Sequence, residues 1–321
     1  MKIRVLPVPI VLAALVALLC ASCGASGALL RPNGVAVAPD GTLYVMDRGN
    51  YRVVHVTAEG QFLGAFGQFG TGPEDIFAGW DLAVDAAGNL YLCNLTRDEG
   101  GLQVHDGIKM FTAAGEFVRE IGGTDYTYEE SANTPYGLDV DAAGRVYVAD
   151  FSGDTLRVFD PQGNLQGTFF GATGSAREEF SGLNDVAVDD VRNEVYIVDS
   201  INTRVKKYDL AVGPAGEVTL TLRLVFGGYG EGPGEFSYPQ YVAVDEASGR
   251  LYVNDMGNYR VAVFDNNGHF IQSLEPPGVS SWQGMGLAVG PDGTVYIADA
   301  LNNVVWAFAA DGAFRGRIGG W

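Results

Sequence analysis

The chain has 321 residues, 47% hydrophobic and 18% charged, with 45 glycines, 39 acids against 20 bases and a formal net charge of −19. So apolar a chain is not disordered, and three cysteines are too few for a disulfide scaffold. The excess of acid repels phosphate backbones, so nucleic acid is excluded as a partner, while cationic ligands, divalent metals and basic surfaces are permitted.

The first elements in the chain belong to export. Lys2 and Arg4 precede an apolar run from Val5 to Ala21, and small residues lead to Cys23. This pattern describes a secretory signal, and the run is short, and interrupted by Pro7 and Pro9, for a spanning helix. Leu19-Cys20-Ala21-Ser22-Cys23-Gly24 resembles the lipobox of bacterial lipoproteins, with Cys20 where that motif usually has Leu. The resemblance implies a signal over 1–22, lipidation at Cys23 and a tether over 23–30. It also implies a place in the bacterial cell envelope, at the outer membrane or cell surface, since Gly24 is not the Asp of inner-membrane retention. Periplasmic or secreted release without lipid, and an uncleaved anchor, are the alternatives. Loss of residues 1–22 removes two cations and no acid, taking the net charge to −21. Cys93 is then the remaining thiol, and its place in an apolar run reads as a small core hydrophobe.

From residue 31 onward one phrase recurs six times. Its openings are Gly34-Val35-Ala36-Val37, Asp81-Leu82-Ala83-Val84, Gly137-Leu138-Asp139-Val140, Asp185-Val186-Ala187-Val188, Tyr241-Val242-Ala243-Val244 and Gly286-Leu287-Ala288-Val289, spaced by 47, 56, 48, 56 and 45 residues. Each unit holds four short runs; in the fifth they are Val242–Val244, Leu251–Asn254, Arg260–Phe264 and Phe270–Ser273, joined by Gly- and Asn-containing turns. The runs are too short for helices and rich in Val, Tyr and Phe. Four antiparallel strands repeated six times suit either a ring or an open stack, and six falls within the usual range for a ring, which leaves no long exposed edge. The expectation is an all-β, six-bladed β-propeller of four-stranded antiparallel blades. Its units lie near 31–76, 77–132, 133–180, 181–236, 237–278 and 279–321, and Phe314–Gly319 is the last outer strand. Residues 27–31 are a candidate for a further edge strand.

Asp47-Arg48-Gly49-Asn50-Tyr51-Arg52, Asp199-Ser200-Ile201-Asn202-Thr203-Arg204 and Asp255-Met256-Gly257-Asn258-Tyr259-Arg260 resemble the core of the NHL repeat. So do the inter-unit stretches Gly230-Glu231-Gly232-Pro233-Gly234-Glu235-Phe236 and Gly70-Thr71-Gly72-Pro73-Glu74-Asp75-Ile76. The resemblance spans 31–321 and departs at Thr155 and Val304, where Arg is expected, and in the interrupted second unit. The repeated Asp–Arg spacing reads as scaffold, an ion pair joining the second and third strands.

Candidate sites lie where the repeat breaks. From the acid or Asn ending the second strand to the end of the third is nine positions in five units, but Asn94 to Phe111 is seventeen. The extra residues, within Leu95–Gly107, carry Asp98 and Glu99 and belong to the same face as Tyr126 and Tyr128 of the next loop. The fourth unit's excess, within Leu210–Thr219, reads as a longer turn on the opposite face. Around the channel mouth, Trp80, Tyr136, Gln240 and Tyr241 form an aromatic and polar rim with Met285, and Trp282 lies close by; such a concave mouth suits a small ligand. Asp139 replaces the Ala found in the other five units and must be paired, metal-bound or protonated.

Two related propeller enzymes frame the chemistry. Amidating lyases resembling NHL propellers hold zinc with channel histidines, whereas His55, His105 and His269 occupy no rim position here. Gluconolactonase-like propellers hold a divalent cation with oxygen ligands, and Asn33, Asp81, Asn184 and Asp185 match part of that set, without a counterpart for its Glu. No catalytic set is recognisable. The reading is a membrane-tethered extracytoplasmic module that binds an envelope or extracellular protein, or a small ligand, and needs no cofactor. The alternatives are a hydrolase, lactonase or lyase using calcium or another divalent cation in the channel, and a purely structural envelope component.

Overall fold

A computed structural model describes residues 28–97, 103–122, 134–214 and 216–319. Cys23, Asp98, Glu99, Tyr126 and Tyr128 lie outside the described residues. Among those described, no helix is long and apolar enough to cross a membrane.

Six four-stranded antiparallel sheets follow one another along the chain. Blade 1 is β1 (Pro32–Val37), β2 (Leu43–Asp47), β3 (Arg52–Val56) and β4 (Phe62–Phe66); blade 2 is β5 (Ala78–Val84), β6 (Leu90–Arg97), β7 (Gln103–Phe111) and β8 (Phe117–Ile121). Blade 3 is β9 (Pro135–Val140), β10 (Val146–Asp150), β11 (Thr155–Phe159) and β12 (Leu165–Phe170); blade 4 is β13 (Leu183–Asp189), β14 (Glu194–Asp199), β15 (Arg204–Val212) and β16 (Val218–Gly227). Blade 5 is β17 (Pro239–Asp245), β18 (Arg250–Asp255), β19 (Arg260–Phe264) and β20 (Phe270–Leu274); blade 6 is β21 (Gly284–Val289), β22 (Val295–Asp299), β23 (Val304–Phe308) and β24 (Phe314–Gly319). The first strand of each blade packs on the first strand of the next, and β1 packs on β21, which closes the ring. The fold is the six-bladed propeller expected from the repeat. Ala28 to Arg31 add no edge strand; Leu29 instead packs between the first and last blades, against Val35, Met285 and Ile318.

First strands begin, and second strands end, on what is here the upper face; the lower face carries the turns leaving the first and third strands. Each second strand ends in a buried acid or Asn whose side-chain oxygen accepts the N–H of the segment entering the same blade. The six pairs are Leu30 to Asp47, Phe77 to Asn94, Thr134 to Asp150, Ser181 to Asp199, Ser237 to Asp255 and Gln283 to Asp299. The carboxylate also takes the arginine that recurs in the repeat: Asp47–Arg52 at 2.8 Å, Asp199–Arg204 at 2.6 Å and Asp255–Arg260 at 3.0 Å. These guanidiniums reach on to backbone carbonyls, Arg260 to those of Glu231, Gly232 and Glu235, so one side chain holds both the strand end and the inter-blade loop.

Where the arginine is missing, the residue two positions on, which shares its side of the strand, takes over. Arg157 follows Thr155 and pairs with Asp150 at 3.6 Å; Trp306 follows Val304 and donates its indole N–H to Asp299 at 2.8 Å. In blade 2 Gly107 holds the arginine position, and buried Lys109 donates to the carbonyls of Gly72 and Asp75, each at 2.7 Å. The eight-residue excess of blade 2 lengthens a hairpin on the upper face, with Leu95 opposite Asp106 and Arg97 opposite Gln103. That of blade 4 lengthens the β15–β16 hairpin on the lower face, where Val212 pairs with Val218.

Lys109→Met keeps the apolar stem but removes the ammonium donor from the part-buried carbonyls of Gly72 and Asp75, of which Gly72 keeps the Asp75 N–H. We expect a loss of about 1–3 kcal/mol, read as a lower melting temperature. Lys206→Met should cost less, because Arg204 holds the same Asp199 and the same Glu179 carbonyl. Equal losses would show that the loop latch is not the operative contact.

Candidate functional site: an acid-lined channel

The first strands surround a cavity of about 480 Å³. Its wall includes Val35, Leu82, Leu138, Val186, Val242 and Leu287, and it runs down past Pro39, Ala86, Glu246 and Pro291 at the lower ends of these strands. At its upper end stand Asp81, Asp185 and Tyr241. Tyr241, 1% exposed, is close enough to Asp81, Asp185, Tyr136 and Arg48 for each to influence its ionisation, although they come from four other blades. The lining stops at this residue and includes none of Asn33, Trp80, Asn184 and Gln240 above it, and burial together with the neighbouring acids pushes the Tyr241 pKa well above the ordinary value. The cavity opens on the lower face.

Of the acids that line this space, Asp81, Asp139 and Asp185 each bridge two blades. Asp81 of β5 accepts the N–H of Leu138 in β9 at 3.3 Å, and Asp185 of β13 accepts that of Val242 in β17 at 2.8 Å. Asp139 accepts the N–H of Val140 in its own strand and of Val188 in β13, both at 2.8 Å. The residue that interrupts the Ala pattern is thus a hydrogen-bonded strap between blades 3 and 4, one of the fates open to a carboxylate at that position. Glycine permits the approach of two of these acids: a Cβ on Gly137 would meet Asp185 Oδ1 at 2.0 Å, and one on Gly34 would meet Asp81 Oδ1 at 3.2 Å. Removal from water raises the pKa of Asp81 to about 7 and that of Asp139 to about 7, and raises that of Asp185 well above the ordinary value, with the Asp81 charge adding to the effect on Asp185. One oxygen of the set, Asp185 Oδ1, is buried without a hydrogen-bond partner.

The expected rim residues separate into several roles. The side-chain amides of Asn33 and Asn184 donate to the carbonyls of Trp80 and Gln240, at 2.9 and 2.7 Å, each linking its blade to the next. Asn184 Oδ1 and Gln240 Oε1 are buried and unpartnered, as is the indole N–H of Trp80. Trp80 stacks on Tyr136 with centroids 4.4 Å apart, and Tyr136 leans on Phe151. Trp282 does not face the mouth: it is buried in the core between blades 5 and 6 and donates to the Tyr259 carbonyl at 2.7 Å. Cys93 is buried, as its apolar run implied.

Sequence reasoning passed over Arg48, whose guanidinium carbon lies 4.0 Å from the centre of the Trp80 ring. It was read as part of the repeat, yet the other units carry Leu95, Phe151, Ser200, Met256 and Ala300 there, and that comparison was available in the sequence. The single-ended shape of the channel had no such signal, because it depends on how one tyrosine sits among residues of four other blades. Among the described residues, no three His, Cys, Asp or Glu side chains gather where they could hold a metal ion. Of the four expected metal ligands, Asp81 and Asp185 each spend one oxygen on an inter-blade hydrogen bond, Asn33 and Asn184 bond through their amide nitrogens, and Asn184 Oδ1 and Asp185 Oδ1 stay without a partner.

The raised carboxylate pKa values give a test. In the folded state these groups hold protons between about pH 4 and pH 7 that the unfolded chain releases, so their stabilising contribution is present below pH 4 and lost as pH rises through 7. Asp139→Asn should lower stability at pH 5.5 but flatten the fall between pH 5.5 and pH 8 by on the order of 2 kcal/mol, measured by urea unfolding. An unchanged slope would mean that Asp139 titrates as an ordinary acid.

Comparison with known proteins agrees with this architecture. Residues 29–56 match the NHL repeat family, and residues 138–229 match a family described as a 6-bladed beta-propeller. Among curated proteins, NHL repeat-containing protein 3 of Mus musculus is 28% identical over 177 residues, covering 50% of this chain and 45% of that protein. Protein brain tumor of Drosophila melanogaster is 27% identical over 144 residues, 43% of this chain and 12% of that protein. The chain thus spans less than half the length of either relative. Among solved structures, a gluconolactonase from Xanthomonas campestris superposes with a TM-score of 0.64 at 17% identity, over 87% of this chain and 86% of that one. Virginiamycin B lyase from Staphylococcus aureus superposes with a TM-score of 0.58 at 11% identity, over 90% and 84%. At such identities the likeness is one of fold. By its sequence matches and by its architecture, the chain is a six-bladed β-propeller that carries an NHL repeat.

Proposed function

We propose that this protein is a membrane-tethered, extracytoplasmic binding module whose acid-lined channel takes a small cationic ligand from the lower face. The observation that carries the reading is Asp185 Oδ1, a buried and unpartnered acceptor in a cavity of about 480 Å³ shared with Asp81 and Asp139. That volume falls within the usual range for small-ligand sites, and a cavity that gathers acids of raised pKa is where function is first sought. A ligand ammonium or metal cation would replace the protons these groups hold and relieve the repulsion between them. Anchoring rests on the lipobox-like stretch ending at Cys23 and is part of the proposal, as is a place in the bacterial envelope.

A second reading, a divalent-metal hydrolase, lactonase or lyase, is favoured by the buried unpartnered oxygens of Asn184, Asp185 and Gln240, which are of the type hard cations take. The gluconolactonase and lyase among the fold neighbours keep it in view.

Thermal melting at pH 8 with calcium or with a diammonium such as putrescine separates the two. On the binding-module reading, putrescine at about a hundred times its dissociation constant stabilises by about 2.7 kcal/mol, and Asp185→Asn abolishes the shift. Calcium-dependent stabilisation of a protein purified with bound metal supports the enzyme reading instead. A melting temperature that moves with neither cation overturns both.

A further inference from the structure

We infer that the upper face of blades 5, 6 and 1 rests on the lipid bilayer, with the channel opening away from it; this rests on the anchoring at Cys23 put forward above. The chain enters the propeller on the upper face. Leu30 donates its N–H to Asp47 at the upper end of β2, and Arg31 donates its N–H to Asn303 in the upper loop of blade 6. Five residue steps separate Cys23 from Ala28, a reach of at most about 18 Å when fully extended. The lower face lies beyond the length of β1, six residues or about 20 Å. The lower face could meet the membrane only with the tether pulled straight along the whole blade, so the upper face and the adjoining edge are the surfaces within easy reach of an acyl chain on Cys23.

The distribution of apolar surface selects the upper face over the edge. Half of the sixteen exposed large apolar side chains among the described residues occupy its loops, against Val191 and Val212 on the lower face. They flank the point of entry: Leu30 and Tyr51 beside blade 1, Leu301 on blade 6, Tyr259 on blade 5, and Tyr229 and Tyr238 in the loop before it. Tyr229 is 82% exposed and Tyr259 57%, which places phenol rings in water where they make little packing. Tyrosine is the side chain that settles at the headgroup level, ring toward the acyl region and hydroxyl toward water. The long hairpin of blade 2 also rises from the upper face, but away from the entry sector, so blades 5, 6 and 1 approach the lipid while blade 2 stands at the margin. Glu74 and Glu231 lie in the same set of loops, so charge does not draw this face to anionic lipid; the acyl anchor supplies the proximity and the tyrosines set which way up the ring sits.

The test uses the mature acylated protein in vesicles of phosphatidylethanolamine and phosphatidylglycerol with brominated acyl chains. Single labels are placed at Tyr229→Cys on the upper face, Val191→Cys on the lower face and Val118→Cys on the blade 2 edge, with Cys93 buried and unlabelled. Bromine should quench the Tyr229 label at least twofold more than either of the others, and serine at Tyr229 and Tyr259 should erase the contrast for a label at Leu301→Cys. Equal quenching at all positions, or strongest quenching at Val118 or Val191, overturns the orientation. Intact mass is read in the same preparation: absence of acyl chains on Cys23 removes the anchoring reading and this inference together, whereas an acylated protein with an unquenched upper face removes the orientation alone.

Discussion

The side-chain oxygen at the end of each second strand is the contact on which the ring depends. In all six blades it accepts the N–H of the segment entering the blade, and in five it is a carboxylate, fully buried. A buried carboxylate is costly unless donors surround it. Here the donors come from the entering chain, the turn after the strand and the third strand at once. Asp299 shows the full arrangement, accepting from Gln283, Leu301, Asn302 and Trp306. Satisfying one charge therefore fixes the start of the first strand, the bend of the chain and the loop from the preceding blade.

That arrangement explains how much could be read from the sequence. Strand positions and blade number follow from the recurrent acid, glycine turns and Val- and Tyr-rich runs, and β24 coincides with Phe314–Gly319, whereas the repeat alone leaves open how the ring closes. The Asp–Arg pairs were legible for the same reason. Arg157, Lys109 and Trp306 stand two residues beyond the arginine position on the same side of the strand, so an alignment of the units position by position does not show them as its substitutes. The candidate site was less visible. Asp139 stands out in the sequence as the exception to the Ala pattern, and Asp81 and Asp185 as part of an oxygen-ligand set, but their joint wall around one cavity depends on the rotation between blades, which sequence spacing does not encode. The placing of Trp282 in the core has the same cause.

Scaffold and site are built here from the same residue type used in two ways. Acids at the upper ends of second strands meet guanidinium, ammonium or indole donors. Acids on the first strands meet backbone N–H groups and one another, with no basic side chain between them in the cavity wall. The outcome is structural carboxylates held by cationic or indole donors at the periphery and carboxylates whose pKa burial raises at the axis, all in a chain whose overall charge is strongly negative.

The manner of closure carries a mechanical consequence. The last blade completes itself with β24, so among the described residues no strand of the N-terminal segment is laced into the final sheet, and the seam between blades 6 and 1 is held by Leu29, the Arg31–Asn303 hydrogen bond and the close approach of Gly286 to Gly34. Residues 28–31 enter the ring at that same seam. A pull on the N-terminus therefore loads the ring at the one joint where adjacent blades are distant in sequence, and tension peels residues 28–31 away before any β-ladder is strained. Under force, the propeller opens as a clasp at this seam rather than shearing through a blade.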